Sequence, residues 1–147
     1  MAIVVRNPLS HIVIGCAIEV HRALGPGLLE SAYLECLGYE LAKREVRFQT
    51  QVPLPIEYDG HRLNCGYRMD LVVPRELLVE VKSVDKIAPV HMAQVMTYLK
   101  LSGLPQALLL NFNVRWMRDG IRSFLHTSGR IQSVGLDLPE AGVQPPS

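Results

Sequence analysis

Apolar positions recur at helical spacing from His11 to Leu24, with Val13, Ala17, Val20 and Leu24 on one stripe and Ser10 just ahead of them. This predicts a first helix, which Gly25-Pro26-Gly27 ends. A second helix is expected from about Leu28 to Arg44, its stripe carried by Leu34, Leu37 and Leu41. Phe48 to Tyr58 suits a strand, but Pro53 and Pro55 interrupt it and point to an edge position or a bend. Asp59-Gly60 is a hairpin turn, followed by a short strand around His61 to Asn64. Cys65-Gly66 then leads into two strongly apolar strands, Tyr67 to Val73 and Leu77 to Lys82, joined by Pro74-Arg75-Glu76. Pro89 suits the first turn of a third helix reaching about Ser102, where Gly103 ends it. Gln106 to Phe112 is an apolar run of strand length, and a last strand is expected at about Ile121 to Leu125. From Thr127 onward Gly, Ser, Pro and Gln dominate, which predicts a flexible tail.

The order helix, helix, three strands, helix, strand predicts an α/β fold, a sheet flanked by helices. At 147 residues, 48% hydrophobic and 20% charged, the chain has material for one core and no second domain. The domain is therefore expected over 1–126 and the tail over 127–147. No run approaches the roughly 18 apolar residues of a membrane span, and Arg6, Asn7 and Pro8 break any signal-peptide layout, so a cytoplasmic protein without membrane contact is expected. Cys16, Cys36 and Cys65 are odd in number and fit neither a disulfide framework nor a metal knuckle; reduced, mostly core thiols are expected.

Two carboxylates stand where sheet packing alone would not put them. A three-residue loop at Pro74-Arg75-Glu76 makes Val73 face Leu77 and brings Asp70 opposite Glu80, with Lys82 two residues on and on the same face as Glu80. Like charges across a strand pair are destabilising, and these are flanked by Leu and Val. A divalent cation held by both would compensate them, with Lys82 orienting or activating a water for attack on a phosphate. A solvent-facing pair on an edge strand, with Lys82 as counterion, is the plainer alternative.

Further polar residues break apolar stripes. Glu30 aligns with Leu34, Leu37 and Leu41 and so points toward the sheet, although a first-turn Glu is also favoured by the helix dipole alone. Gln94 aligns with Val90, Tyr98 and Leu101 on the third helix, as a site residue or a satisfied core amide. His21 and Arg22 end the first helix, near such a site or simply on the surface. The net charge of +1 gives no support to a grip on long duplexes; Arg115, Arg118 and Arg122 form a local basic cluster or a solvated face.

Gly27-Leu28-Leu29-Glu30-Ser31-Ala32-Tyr33 matches the Gly-x-x-Glu-x-x-Tyr signature. Gln51-x-Pro53, Gly66-Tyr67-Arg68-x-Asp70, Glu80-Val81-Lys82, Pro89-Val90-His91, Ala93-Gln94 and Asn111-Phe112-Asn113 follow in order. Over roughly residues 9 to 125 the chain resembles the GxxExxY proteins, a branch of the PD-(D/E)XK nuclease superfamily. The resemblance implies a restriction-endonuclease-like core, with a mixed central sheet of about four or five strands between helices. It also implies roles: Asp70, Glu80, Glu30 and the Val81 carbonyl on magnesium or manganese, Lys82 beside the nucleophilic water, and Gln94 and Tyr98 near the substrate. Met69 stands where the superfamily name has Pro, a position that varies.

Oxygen ligands suit magnesium or manganese and not zinc, since no His or Cys joins them. A metal-dependent nuclease acting on DNA or RNA is therefore expected. The competing readings are a binding module that keeps the fold without turnover, and an interaction subunit forming a homodimer through a sheet edge or the third helix.

Overall fold

The computed structural model of the chain describes residues 4–5, 7–136 and 138. Helix α1 (Pro8–Leu24) begins two residues before Ser10 because the Asn7 side chain accepts from the Leu9 N–H at 2.9 Å, with Pro8 in the first turn. Helix α2 (Glu30–Lys43) and helix α3 (Pro89–Ser102) follow in chain order. Gly103 closes α3 in the left-handed conformation, as a glycine at that position does without strain.

The strands are β1 (Val4–Val5), β2 (Gln49–Pro53), β3 (Ile56–Tyr58), β4 (His61–Leu63), β5 (Arg68–Val73), β6 (Leu77–Lys82), β7 (Gln106–Asn111), β8 (Ile121–Thr127) and β9 (Arg130–Leu136). Seven of them form one mixed sheet in the order β1-β9-β8-β7-β6-β5-β2, while β3 and β4 make a separate ribbon turned by Asp59-Gly60. The prolines at 53 and 55 act as expected: β2 stops at Pro53, and the ribbon starts at Ile56. Strands β6 and β7 are parallel and joined through α3, and every residue of β7 is buried, which accounts for its unbroken apolar run.

The fold is therefore α/β and restriction-endonuclease-like, with more strands than the four or five expected. Two corrections explain the difference. Ser128 and Gly129 both have positive φ, at 51° and 78°, and turn the chain back so that β9 pairs with β8 from Ser123 to Thr127. The flexible tail expected from 127 is thus strand through Leu136, with Val134 buried and Ile131 packed on the core; strand β1 lies parallel to β9 beyond it. What the expected tail contains from 139 onward lies outside the described residues.

Two cores flank the sheet. On one face α1 and α2 bury Ile14, Ala17, Leu37 and Leu41 against Leu71, Val79, Val81, Leu110 and Phe112. On the other, α3 buries Val95, Tyr98 and Leu99 against Met69, Val72, Leu78, Leu109 and Phe124. The apolar stripe of α3 is therefore Val95, Tyr98 and Leu99; Val90 is 68% exposed and Leu101 44%, so Gln94 is half-buried at the margin of the packed face. Cys16 is buried, Cys36 half-buried and Cys65 exposed, which corrects the expectation for Cys65.

A short 3-10 turn, Met117–Gly120, leads into β8 and passes so close to β7 that a Cβ on Gly120 would sit 2.1 Å from the Asn111 carbonyl oxygen. Gly120→Ala is expected to destabilise the chain by about 1–3 kcal/mol, the usual cost of overpacking. A urea unfolding curve with an unchanged midpoint would show that this approach is not the constraint described.

Candidate active site

The site begins with a break in hydrogen bonding. Strands β5 and β6 pair at Val73 with Leu77, Val72 with Leu78 and Leu71 with Val79, the register expected from the three-residue loop. The same register carries Asp70 opposite Glu80, but there side chains replace the main-chain ladder. The Asp70 N–H donates to Glu80 Oε2 at 2.9 Å, and the Val81 N–H donates to Asp70 Oδ2 at 2.8 Å. On the other side of β5, strand β2 pairs at Thr50 with Leu71 and at Val52 with Met69, skipping Gln51, whose φ is +52°. Asp70 thus stands in a gap between both neighbouring strands, and two carboxylates meet there.

Their environment is hostile to charge. Glu80 is only 3% exposed, and burial first, the Asp70 carboxylate second, push its pKa up to about 9. The Lys82 ammonium opposes this only weakly, and among the described residues no Lys or Arg nitrogen reaches either carboxylate within ion-pair distance. At neutral pH Glu80 therefore favours its protonated form. Burial likewise raises the Tyr98 hydroxyl pKa, with smaller contributions from Glu80, Tyr67 and Asp70.

One wall is the start of α2. The Tyr33 hydroxyl donates to the Gly25 carbonyl at 2.5 Å and accepts from the Leu28 N–H at 3.1 Å, while its ring stacks on Phe112 at 4.5 Å. The turn pinned in this way reaches the end of β6: the Ser83 hydroxyl donates to the Leu28 carbonyl at 2.7 Å, and the Ser83 N–H donates to Glu30 Oε2 at 3.3 Å. Glu30 consequently shares a cleft of about 490 Å³ with Asp70, Val81, Leu28, Leu29 and Gln51. Its carboxylate is not gathered with the other two: among the described residues, no three His, Cys, Asp or Glu side chains come together closely enough to hold a metal ion.

On the other face of the sheet, α3 carries two more of the expected site residues. Gln94 donates to the Tyr98 hydroxyl at 3.2 Å, and Tyr67, 45% exposed, meets the Tyr98 ring edge-on at 6.2 Å. His21 and Arg22 are not part of this cleft. His21 is 3% exposed and bonds the Val114 carbonyl at 2.7 Å, and Arg22 pairs with Glu19 at 3.2 Å. The surface position suggested for His21 is thereby corrected, because its ring is buried against the segment after β7. Arg115 lies over the Trp116 ring and Arg122 bonds the Asp119 and Ile121 carbonyls, so neither is held toward the carboxylates.

Two supports escaped sequence reasoning. Buried Asn111 accepts from the Val84 N–H at 3.0 Å and donates to the Val84 carbonyl at 2.9 Å, clamping the segment that follows Lys82. The His91 ring accepts from the Ala88 N–H at 2.9 Å and so closes the start of α3. Both residues lie in motifs noted for the resemblance, which was the only signal available for them.

Acidic residues converging at a break in the central hairpin, with a lysine one strand step further on, define a protein of the restriction-endonuclease-like fold class. The chain belongs to the PD-(D/E)XK nuclease superfamily, whose family model matches residues 7–124. No curated protein and no solved structure matches it significantly. Two adjacent carboxyls, Glu80 buried and Asp70 half-buried, both hard oxygen donors, fit the divalent metal such nucleases use.

Because the folded pKa of Glu80 lies near 9 and the ordinary value is 4.5, folding takes up a proton. The associated stability is complete below the ordinary value and is lost as pH rises toward the folded one. In metal-free buffer the melting temperature is expected to fall between about pH 5 and pH 9, and Glu80→Gln to flatten that slope without lowering stability at neutral pH. Identical pH profiles for the two proteins would count against a proton held at Glu80.

Proposed function

We propose that the chain is a nuclease that hydrolyses phosphodiester bonds of DNA or RNA with magnesium or manganese, and that it is a member of the GxxExxY branch. The observation that carries this reading is the Asp70–Glu80 pair, with Glu80 buried, at a gap in two β-ladders where little positive charge reaches it. Asp70, Glu80 and the Val81 carbonyl would hold the cation, with Glu30 approaching through the shared cleft. When bound, the ion supplies Lewis-acid polarisation of a phosphoryl oxygen and a more acidic water. Lys82, one strand step beyond Glu80, donates to the attacking water and balances charge developing on the phosphate. Gln94 and Tyr98 orient substrate from α3 through the hydroxyl they share. Cytoplasmic action on nucleic acid is part of the proposal; no described helix is long and apolar enough to cross a membrane.

One observation favours a second reading. Glu30 bonds the Ser83 N–H in place of joining the other carboxylates, as suits a fold retained for binding nucleic acid or protein without turnover, including as a homodimer.

Labelled DNA and RNA substrates incubated with magnesium or manganese are expected to be cut by the native chain and left intact by Glu80→Ala. Cutting by both preparations would assign the activity to a contaminant, and cutting by neither favours the binding module. Magnesium should raise the melting temperature of the native chain but not of Glu80→Gln, and equal shifts would argue against this metal site. Lys82→Ala should lose about a hundredfold in cleavage rate while keeping the magnesium-induced shift. Loss of that shift would make Lys82 part of the metal site's architecture instead.

A further inference from the structure

A second groove, of about 520 Å³, runs between α2 and β2 and is walled by Gly38, Tyr39, Phe48 and Thr50. It shares Ser31, Leu34 and Gln51 with the cleft at Asp70, so the two compartments adjoin. Strand β2 is the last of the sheet on this side, which leaves the groove open to a chain running along the edge. We infer that this groove receives an unpaired nucleobase of a single-stranded substrate, stacked on Tyr39, while the neighbouring phosphate lies at Asp70. The inference rests on the nuclease reading and names its substrate class.

The lining favours a base over a phosphate. Glu35 stands on the groove and would repel an anion, and the Lys43 ammonium is engaged by Glu40 at 3.0 Å and lies over the Tyr39 ring, 5.5 Å from its centre, so that a base would stack on the ring's other face. What remains is aromatic: Tyr39 is 67% exposed, and Phe48 lies against Gly38, where a Cβ would come within 3.1 Å of its ring. Only the missing side chain at position 38 lets the Phe48 ring lie that close to the helix. The volume is of the order that small-molecule sites have. Gln51, turned out of the ladder by its positive φ, stands where both compartments meet. In a duplex the base beside the reacting phosphate is stacked and paired, and bringing it into a side groove requires that it be flipped out; a single strand offers it at little cost. A net charge of +1 agrees, since stacking and not phosphate neutralisation must then supply much of the hold.

The test is fluorescence anisotropy with short labelled single-stranded DNA and RNA and with duplexes of the same sequence, calcium replacing magnesium to suppress turnover. Parallel cleavage assays are run in magnesium. The native chain is expected to prefer single strands. Tyr39→Ala should weaken single-strand binding about tenfold, and Tyr39→Phe, which keeps the stacking face, should preserve it. Unchanged thermal unfolding of Tyr39→Ala, expected of so exposed a residue, confines the effect to binding. Duplexes bound as tightly as single strands, or a Tyr39→Ala protein that binds and cleaves like the native chain, overturn the groove and leave the nuclease reading standing. Tyr39-dependent binding of single strands without any cleavage supports the groove and removes the nuclease reading. Failure to bind any nucleic acid overturns both.

Discussion

Two carboxylates forced together where β-strands stop pairing are the constraint around which the rest of this molecule is arranged. A regular ladder through Asp70 would hold its N–H in the sheet, and the side chain would have no reason to meet Glu80. Instead, each acid accepts a main-chain N–H from the strand of the other, so the hydrogen bonds lost from the ladder are returned through side chains. The polar groups are satisfied while the charge is not. Glu80 remains buried, and the Lys82 ammonium offsets its burial only weakly. Such a centre is tolerable because the surrounding sheet is wide and its middle fully buried, with apolar layers on both faces.

The surrounding bonds hold the walls of this gap in place. Tyr33 fixes the turn before α2 and braces it on Phe112, Ser83 fastens that turn to the end of β6, and Asn111 clamps the residues after Lys82. These contacts join segments far apart in sequence, and none of them touches the acidic pair. They act by limiting where Glu30 and Lys82 can go, as the supporting contacts of a preorganised site do.

How far the sequence could be read depended on the range of the interaction. The hairpin register was legible because a three-residue loop and strict alternation leave one pairing that buries Leu71 and Val79 together. Helix α3 was legible at both ends from Pro89 and Gly103. Its buried face was not, because the sheet selects Val95, Tyr98 and Leu99 over a stripe through Val90 and Leu101 that is equally helical in spacing. Strand β9 was missed for a related reason: its polar composition resembles a tail, and only pairing with β8 makes it a strand. At the site, the two acids and the lysine were visible from spacing alone. The interrupted ladder, the bond from Glu30 to Ser83 and the burial of His21 depend on contacts across the fold, and no local pattern encodes them.

A member of the nuclease superfamily with 15 basic and 14 acidic side chains has no broad positive field with which to hold nucleic acid. Phosphate contacts are the usual source of affinity for nucleic acid, and their scarcity shifts the burden to whatever can contact bases. Near Asp70 several large apolar and aromatic side chains reach the surface beside polar ones: Leu28 and Leu29 flank the cleft, Tyr67 stands against Tyr98, and Tyr39 with half-buried Phe48 lines the adjoining groove. Side chains of this kind interact with bases that are already unstacked. Charge balance and surface composition, which are independent properties of the chain, therefore both support the single-stranded substrate proposed above.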